Sequence, residues 1–93
     1  MISLKFHSIL STILELSEVN IDLKNINIKD LLKRVEKDNN LSLTERFISS
    51  DGSVTNGILI LLNGKNITSI DGFDTICKGI NDIIDIFPPG TGG

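Results

Sequence analysis

Apolar and polar residues alternate at both ends of the chain and follow a helical spacing between them. Ile2, Leu4 and Phe6 alternate with Ser3, Lys5 and His7, the period of two that marks a half-buried strand. Ser8 to Leu16 reads as a short helix or turn. Ile9, Leu10, Ile13 and Leu14 lie on one helical face there, and Ser8 is placed to cap it. Val19, Ile21 and Leu23 alternate with Asn20, Asp22 and Lys24, a second strand close enough to pair antiparallel with the first. The clearest helix comes next. Asn27 is a good N-cap, Asp30 stands three residues on, where a carboxylate meets the positive helix end, and Ile26 and Leu31 occupy the staple positions. Ile28, Leu31, Leu32 and Val35 recur at i, i+3, i+4 and i+7, while Lys29, Lys33, Arg34, Glu36 and Lys37 line the solvated side. Asp38-Asn39-Asn40 ends the helix.

Leu41 to Thr55 has no clean period. It predicts a loosely ordered connection with a hairpin or helical turn around Arg46-Phe47-Ile48 and a turn at Ser50-Asp51-Gly52. Gly57 to Leu62 is a continuous apolar run, suited to a strand covered on both faces or central in a sheet. Asn63-Gly64 closes a tight turn, and Asn66-Ile67 returns as a short strand. Asp71-Gly72 turns again, Asp74 to Lys78 makes one helical turn, and Gly79 bends the chain into a last strand from Asp82 to Phe87. Pro88 and Pro89 then forbid a continuing central strand, and Gly90, Gly92 and Gly93 leave the backbone little restricted. The expected organisation is a domain over residues 1–87 and an extended tail over 88–93. The expected fold class is α+β: a mixed sheet of four to five strands packed on one main helix, with a flexible Gly-Gly tail. The first and last strands belong in the sheet's middle and a right-handed crossover sets the helix on one face. This is the arrangement of a ubiquitin-like β-grasp.

Composition narrows the function classes. Ninety-three residues make one domain with a modest core. The abundance of Ile favours strands, although coding bias produces the same enrichment. The net charge of −3 argues against nucleic acid, which wants a basic footprint. A single cysteine, Cys77, excludes an intramolecular disulfide and a cysteine-cluster metal site, and suits a reduced, cytoplasmic setting. With His7 the only histidine, a zinc site would be mostly carboxylate. No signal peptide is evident, and no apolar run is long enough to span a membrane. There is no nucleotide loop and no nucleophile–base pair, so the chain is not expected to catalyse a reaction alone. His7, with no orienting partner visible in the sequence, reads as a sheet-surface residue. Cys77 reads as a half-buried residue in a turn.

Asn63-Gly64-Lys65-Asn66-Ile67, Asp71-Gly72-Phe73-Asp74-Thr75, and Ile84-Asp85-Ile86-Phe87-Pro88-Pro89 followed by Gly92-Gly93 resemble the MoaD/ThiS sulfur-carrier family. The match is nearest to molybdopterin synthase small subunits and archaeal ubiquitin-like small modifier proteins. It covers nearly the whole chain, and the Phe-Pro-Pro-x-x-Gly-Gly ending is its specific part. One departure concerns the turn before the last strand, usually acidic in the family but here Lys78-Gly79-Ile80-Asn81-Asp82. The resemblance implies that an E1-like adenylating enzyme, using ATP and magnesium, activates the carboxylate of Gly93. Sulfide from a persulfide then displaces AMP and leaves a thiocarboxylate. No cofactor is bound by the carrier itself.

The same resemblance implies roles for the residues around the tail. Gly93 carries the thiocarboxylate or acyl-adenylate, and Gly92 lets it thread a narrow channel. Pro88 and Pro89 stiffen the tail's base and lower the entropy lost on binding. Phe87, out of phase with inward-facing Ile84 and Ile86, faces the side of the sheet opposite the helix together with His7 and Ile83. With Gly90 and Thr91 these residues make the expected partner contacts. The implied function is sulfur donation in molybdopterin biosynthesis beside the large subunit of molybdopterin synthase. One alternative is a modifier joined to lysines of target proteins, or a sulfur donor for tRNA thiolation. Another is a β-grasp interaction module whose terminus is chemically idle.

Overall fold

The computed structural model describes residues 1–90. Along the chain it forms β1 (Ile2–Phe6), α1 (Ile9–Leu14), β2 (Glu18–Ile21), β3 (Ile26–Asn27), α2 (Ile28–Asn39) and α3 (Thr44–Phe47). These are followed by β4 (Leu59–Leu62), β5 (Lys65–Asn66), β6 (Ile76–Cys77) and β7 (Asp82–Phe87), with 3₁₀ turns at Ile67–Ser69 and Gly72–Asp74. Five strands make one mixed sheet in the order β2-β1-β7-β4-β5, and β3 pairs with β6 in a separate ribbon. β1 and β7 run parallel from Ile2↔Asp82 to Phe6↔Ile86, while the other pairs are antiparallel. The first and last strands thus lie side by side at the sheet's centre.

The core follows from the two periodicities. Ile2, Leu4, Phe6, Ile84 and Ile86 point to one face of the sheet, and Ile28, Leu31, Leu32 and Val35 of α2 pack over them as one buried cluster. Asn27 caps α2 as its sequence predicts, its Oδ1 accepting from the Asp30 amide at 2.7 Å.

Several local expectations change. Ser8 does not cap α1 with its side chain; it sits at φ 56 and its carbonyl accepts from Ser11 Oγ. With only six residues, α1 turns a single stripe inward, so Leu10 and Leu14 are buried and Ile9 and Ile13 are exposed. Glu36 is not on the solvated side of α2. Its Oε1 accepts from the amides of Leu43 and Thr44 and from Thr44 Oγ1, fixing the start of α3. Burial pushes its carboxyl up, but the Thr44 and Leu43 hydrogen bonds outweigh that and hold it below the usual range. The connection from Leu41 onward is tighter than its sequence suggests. Leu43 and Phe47 are fully buried, and Phe47 stacks on Phe6 with centroids 6.4 Å apart.

The segment after Asp71 also differs. The helical turn expected over Asp74 to Lys78 is a 3₁₀ turn at Gly72–Asp74 followed by β6, because Thr75 is extended and its carbonyl accepts from the Ile28 amide. Cys77 is fully buried in that strand rather than half-buried in a turn. Burial, then the charge of Asp82, push its thiol up to about 11, which makes it inert. The apolar run before Asn63 is covered on one face only: Ile60 and Leu62 are buried, whereas Leu59 is 38% exposed, since no helix among the described residues covers the other side.

The turn before β7 has a structural occupant. Asp82 accepts from the Gly79 amide at 2.7 Å and from Asn63 Nδ2 at 3.0 Å, while Asn63 Oδ1 takes the Ile83 amide at 2.8 Å. The Asn63-Gly64 hairpin turn, with both residues at positive φ, is thereby clipped to the start of β7.

Candidate functional site at the end of the central strand

β7 carries its ladder to Phe87, whose partner on β4 is Leu59. There the prolines end the pairing, since neither has an amide to donate. On the other side, the His7 amide donates to the Ile86 carbonyl at 3.0 Å, extending the parallel register one residue past β1. His7 and Phe87 therefore arrive side by side on the uncovered face. Their rings stack with centroids 4.3 Å apart and planes 10° from parallel. His7 Nε2 lies 2.7 Å from Asp85 Oδ1. A carboxylate only accepts, so Nε2 carries the hydrogen. His7 thus has the orienting partner that its sequence context conceals: Asp85 is 78 residues away but shares the open face with Phe87, two positions on.

Past Phe87 the chain turns against the domain. Pro88 is buried, whereas Pro89 and Gly90 are exposed and form a turn, with Gly90 at φ 76. Pro89 rests on Gly57. A Cβ on Gly57 would lie 2.5 Å from Cβ of Pro89, and Gly57 holds φ 88, so the position demands glycine on two counts. Beside this seat runs a groove of ≈ 360 Å³ whose walls include Ile9, Ile13, Ile58, Arg46, Pro88 and Pro89.

Of the residues expected at the site, His7, Phe87, Pro88, Pro89 and Gly90 are contiguous at this end of the sheet. Ile83 shares the open face and is 39% exposed, but it stands four residues back on β7, about 13 Å along the strand, and does not join them. Thr91, Gly92 and Gly93 lie outside the described residues. Asp85, Leu59, Gly57 and the groove residues Ile9, Ile13 and Arg46 were not expected here. Asp85 was accessible through its phase with Phe87. Gly57 offers no side chain from which a pattern could be read. Among the described residues no cluster of His, Cys, Asp and Glu is arranged to hold a metal ion, and no helix is long and apolar enough to cross a membrane.

The arrangement can present and orient. An apolar ledge of stacked rings and a proline pair seated against the domain stand at the root of the tail.

The ThiS family model matches residues 4–93. None of the curated proteins matches the sequence. The chain is similar to the solution structure of small archaeal modifier protein 1 from Methanosarcina acetivorans, at 25% identity and TM-score 0.73 over 99% of this chain and 95% of that one. It is similar to SAMP1 from Haloferax volcanii at 22% identity and TM-score 0.74, covering 99% and 98%. It also resembles a chain of the BexX/CysO complex of Amycolatopsis orientalis at 17% identity and TM-score 0.77, covering both chains in full. The mixed five-strand sheet with its helix is therefore the ubiquitin-like β-grasp.

Proposed function

Because this chain belongs to the ThiS family, we propose that it is a sulfur carrier whose reactive group is the carboxyl of Gly93. An E1-like partner joins that carboxylate to the α-phosphate of ATP, with magnesium, and releases pyrophosphate. Sulfide, released from a persulfide by thiols that are themselves oxidised to a disulfide, then attacks the acyl carbon, AMP leaves, and a thiocarboxylate remains. Its sulfur goes to a precursor such as that of molybdopterin, beside the large subunit of a synthase. The chain's own part is mechanical. Phe87 on His7 and Pro89 on Gly57 fix where the tail departs, so fewer conformations are lost when Gly92 and Gly93 are threaded into the partner. The observation that carries this reading is the family match through residue 93, with the Pro88-Pro89 root anchored at the end of the central strand.

Incubating the protein with the E1-like enzyme, ATP and a sulfur source tests it by intact mass. The expected result is the gain from exchanging one oxygen for sulfur at Gly93. No gain, together with partner binding unaffected by removing Gly92 and Gly93, would leave an idle β-grasp module. The likeness to small archaeal modifier protein 1 supports a second reading, in which the activated carboxyl is captured by lysines of target proteins. Its mark is a Gly-Gly remnant on those lysines after digestion.

A further inference from the structure

Ile9 and Ile13 are four residues apart on α1, hence on one helical face, and they are 58% and 50% exposed. With Ile58, Pro88 and Pro89 they give the groove an apolar lining, and Arg46 at the end of α3 is its one charged wall residue among those described. Arg46 is exposed and forms no ion pair among the described residues. A space of ≈ 360 Å³ takes one or two side chains, not a folded element.

Chain length identifies the occupant. Three residues beyond Gly90 reach at most about 11 Å. Any enzyme that encloses the carboxyl of Gly93 must therefore come within about that distance of the tail root, and Pro88 and Pro89 are themselves walls of the groove.

We infer that this groove is a docking site for the adenylating enzyme, receiving an apolar side chain of that enzyme between Ile9, Ile13 and Ile58 and one of its carboxylates on Arg46. The inference rests on the carrier reading above and adds to it the surface and the chemistry of the contact. The stacked His7–Phe87 face lies on the open side of the sheet, so the groove extends recognition onto α1 and α3.

The test is ATP–pyrophosphate exchange by the purified adenylating enzyme with the full-length chain, comparing wild type with Ile13→Glu and Arg46→Glu. Both positions are exposed, and thermal unfolding checks that the variants fold. Each substitution is expected to raise KM for the carrier about tenfold or more with kcat within about twofold. Arg46→Lys should keep most of the affinity, and Lys33→Glu on α2 should leave KM unchanged. Equal KM for wild type and both glutamate variants overturns the inference while leaving the carrier function intact. So does a fall in kcat at constant KM, which would mean a misdirected tail, or a wild-type dimer that either variant dissolves, which would make the groove a contact between copies. A wild-type chain that the enzyme never activates sinks the function itself, and the groove's role with it.

Discussion

β7 divides its six residues between two environments. Asp82, Ile84 and Ile86 point inward and are buried, whereas Ile83, Asp85 and Phe87 face the uncovered side. The chain packs α1, α2 and α3 into one core with the inward face of the sheet, so hydrophobicity on the other face is not needed to close the core. Leu59 opposite Phe87, and Ile83 lower on the strand, remain partly exposed. A face that keeps an aromatic ring, aliphatic residues and a fixed His–Asp pair without a covering layer is suited to a partner. The contrast predicts that inward residues set stability and outward ones set recognition.

The sharpest way to break that contrast is Ile86→Ala. The side chain is fully buried in the core, and its loss should cost about 2–5 kcal/mol, a large share of a small domain's stability. Urea denaturation measures it, and a loss under about 1 kcal/mol would mean that the inward face is not the core. Gly57→Ala follows at about 1–3 kcal/mol, from a Cβ forced into positive φ and against Pro89. It should also slow activation by the E1-like enzyme, because the tail root is displaced; unchanged activation would separate the seat from function.

Asp82 faces inward but is polar, and it tests whether the buried side tolerates charge only when paired. Asp82→Ala leaves the Gly79 amide and the Asn63 side chain without their acceptor and should cost about 1–3 kcal/mol at neutral pH. Burial raises this carboxyl, but the Asn63 side chain and the Gly79 and Ile80 amides more than offset it, so the folded pKa is lowered. A lowered folded pKa means the stabilisation is complete above the unfolded value near about 4 and disappears as pH falls through the folded value. Stability of the wild type should thus decline below about pH 4 more steeply than that of Asp82→Ala. Parallel profiles would place the acid sensitivity elsewhere, Asp51 being the next candidate, since hydrogen bonds from Ser49 and Ser53 hold it at about 2.

What could be read from sequence divides along similar lines. Alternation in Ile2, Leu4, Phe6 and in Ile84, Ile86, and the 3.6 spacing of Ile28 to Val35, are long enough to announce the sheet and its helix. β3 and β6 are two residues each, too short for any period, so the sequence shows no ribbon there and β6 reads as part of a helical turn. Leu43 and Phe47 sit in a segment whose polar neighbours mask a four-residue spacing that buries both. At the site, the phase of Phe87 and the two prolines were legible because they are local. The stacking of His7, its bond to Asp85 and the Pro89–Gly57 seat depend on which strands become neighbours, and no local pattern encodes that.

Phe87→Ala is the smaller counterpart of Ile86→Ala on the same strand. The ring is half-buried and stacked on His7, so removing it should cost about 1 kcal/mol, yet raise KM for the adenylating enzyme. The smallest effect belongs to Asp85→Asn. The His7–Asp85 pair is partly exposed, at 36% and 23% for the two side chains, and such pairs contribute about 0.2–1 kcal/mol. An amide of the same shape can still accept from His7 Nε2, so denaturation should move by less than about 0.5 kcal/mol. The NMR signals of the His7 and Phe87 rings should shift while those of the inward-facing isoleucines do not. A loss above about 1.5 kcal/mol, or shifts reaching Ile84 and Ile86, would show that the open face is tied to the core, and the division of β7 into a folding side and a recognition side would fail.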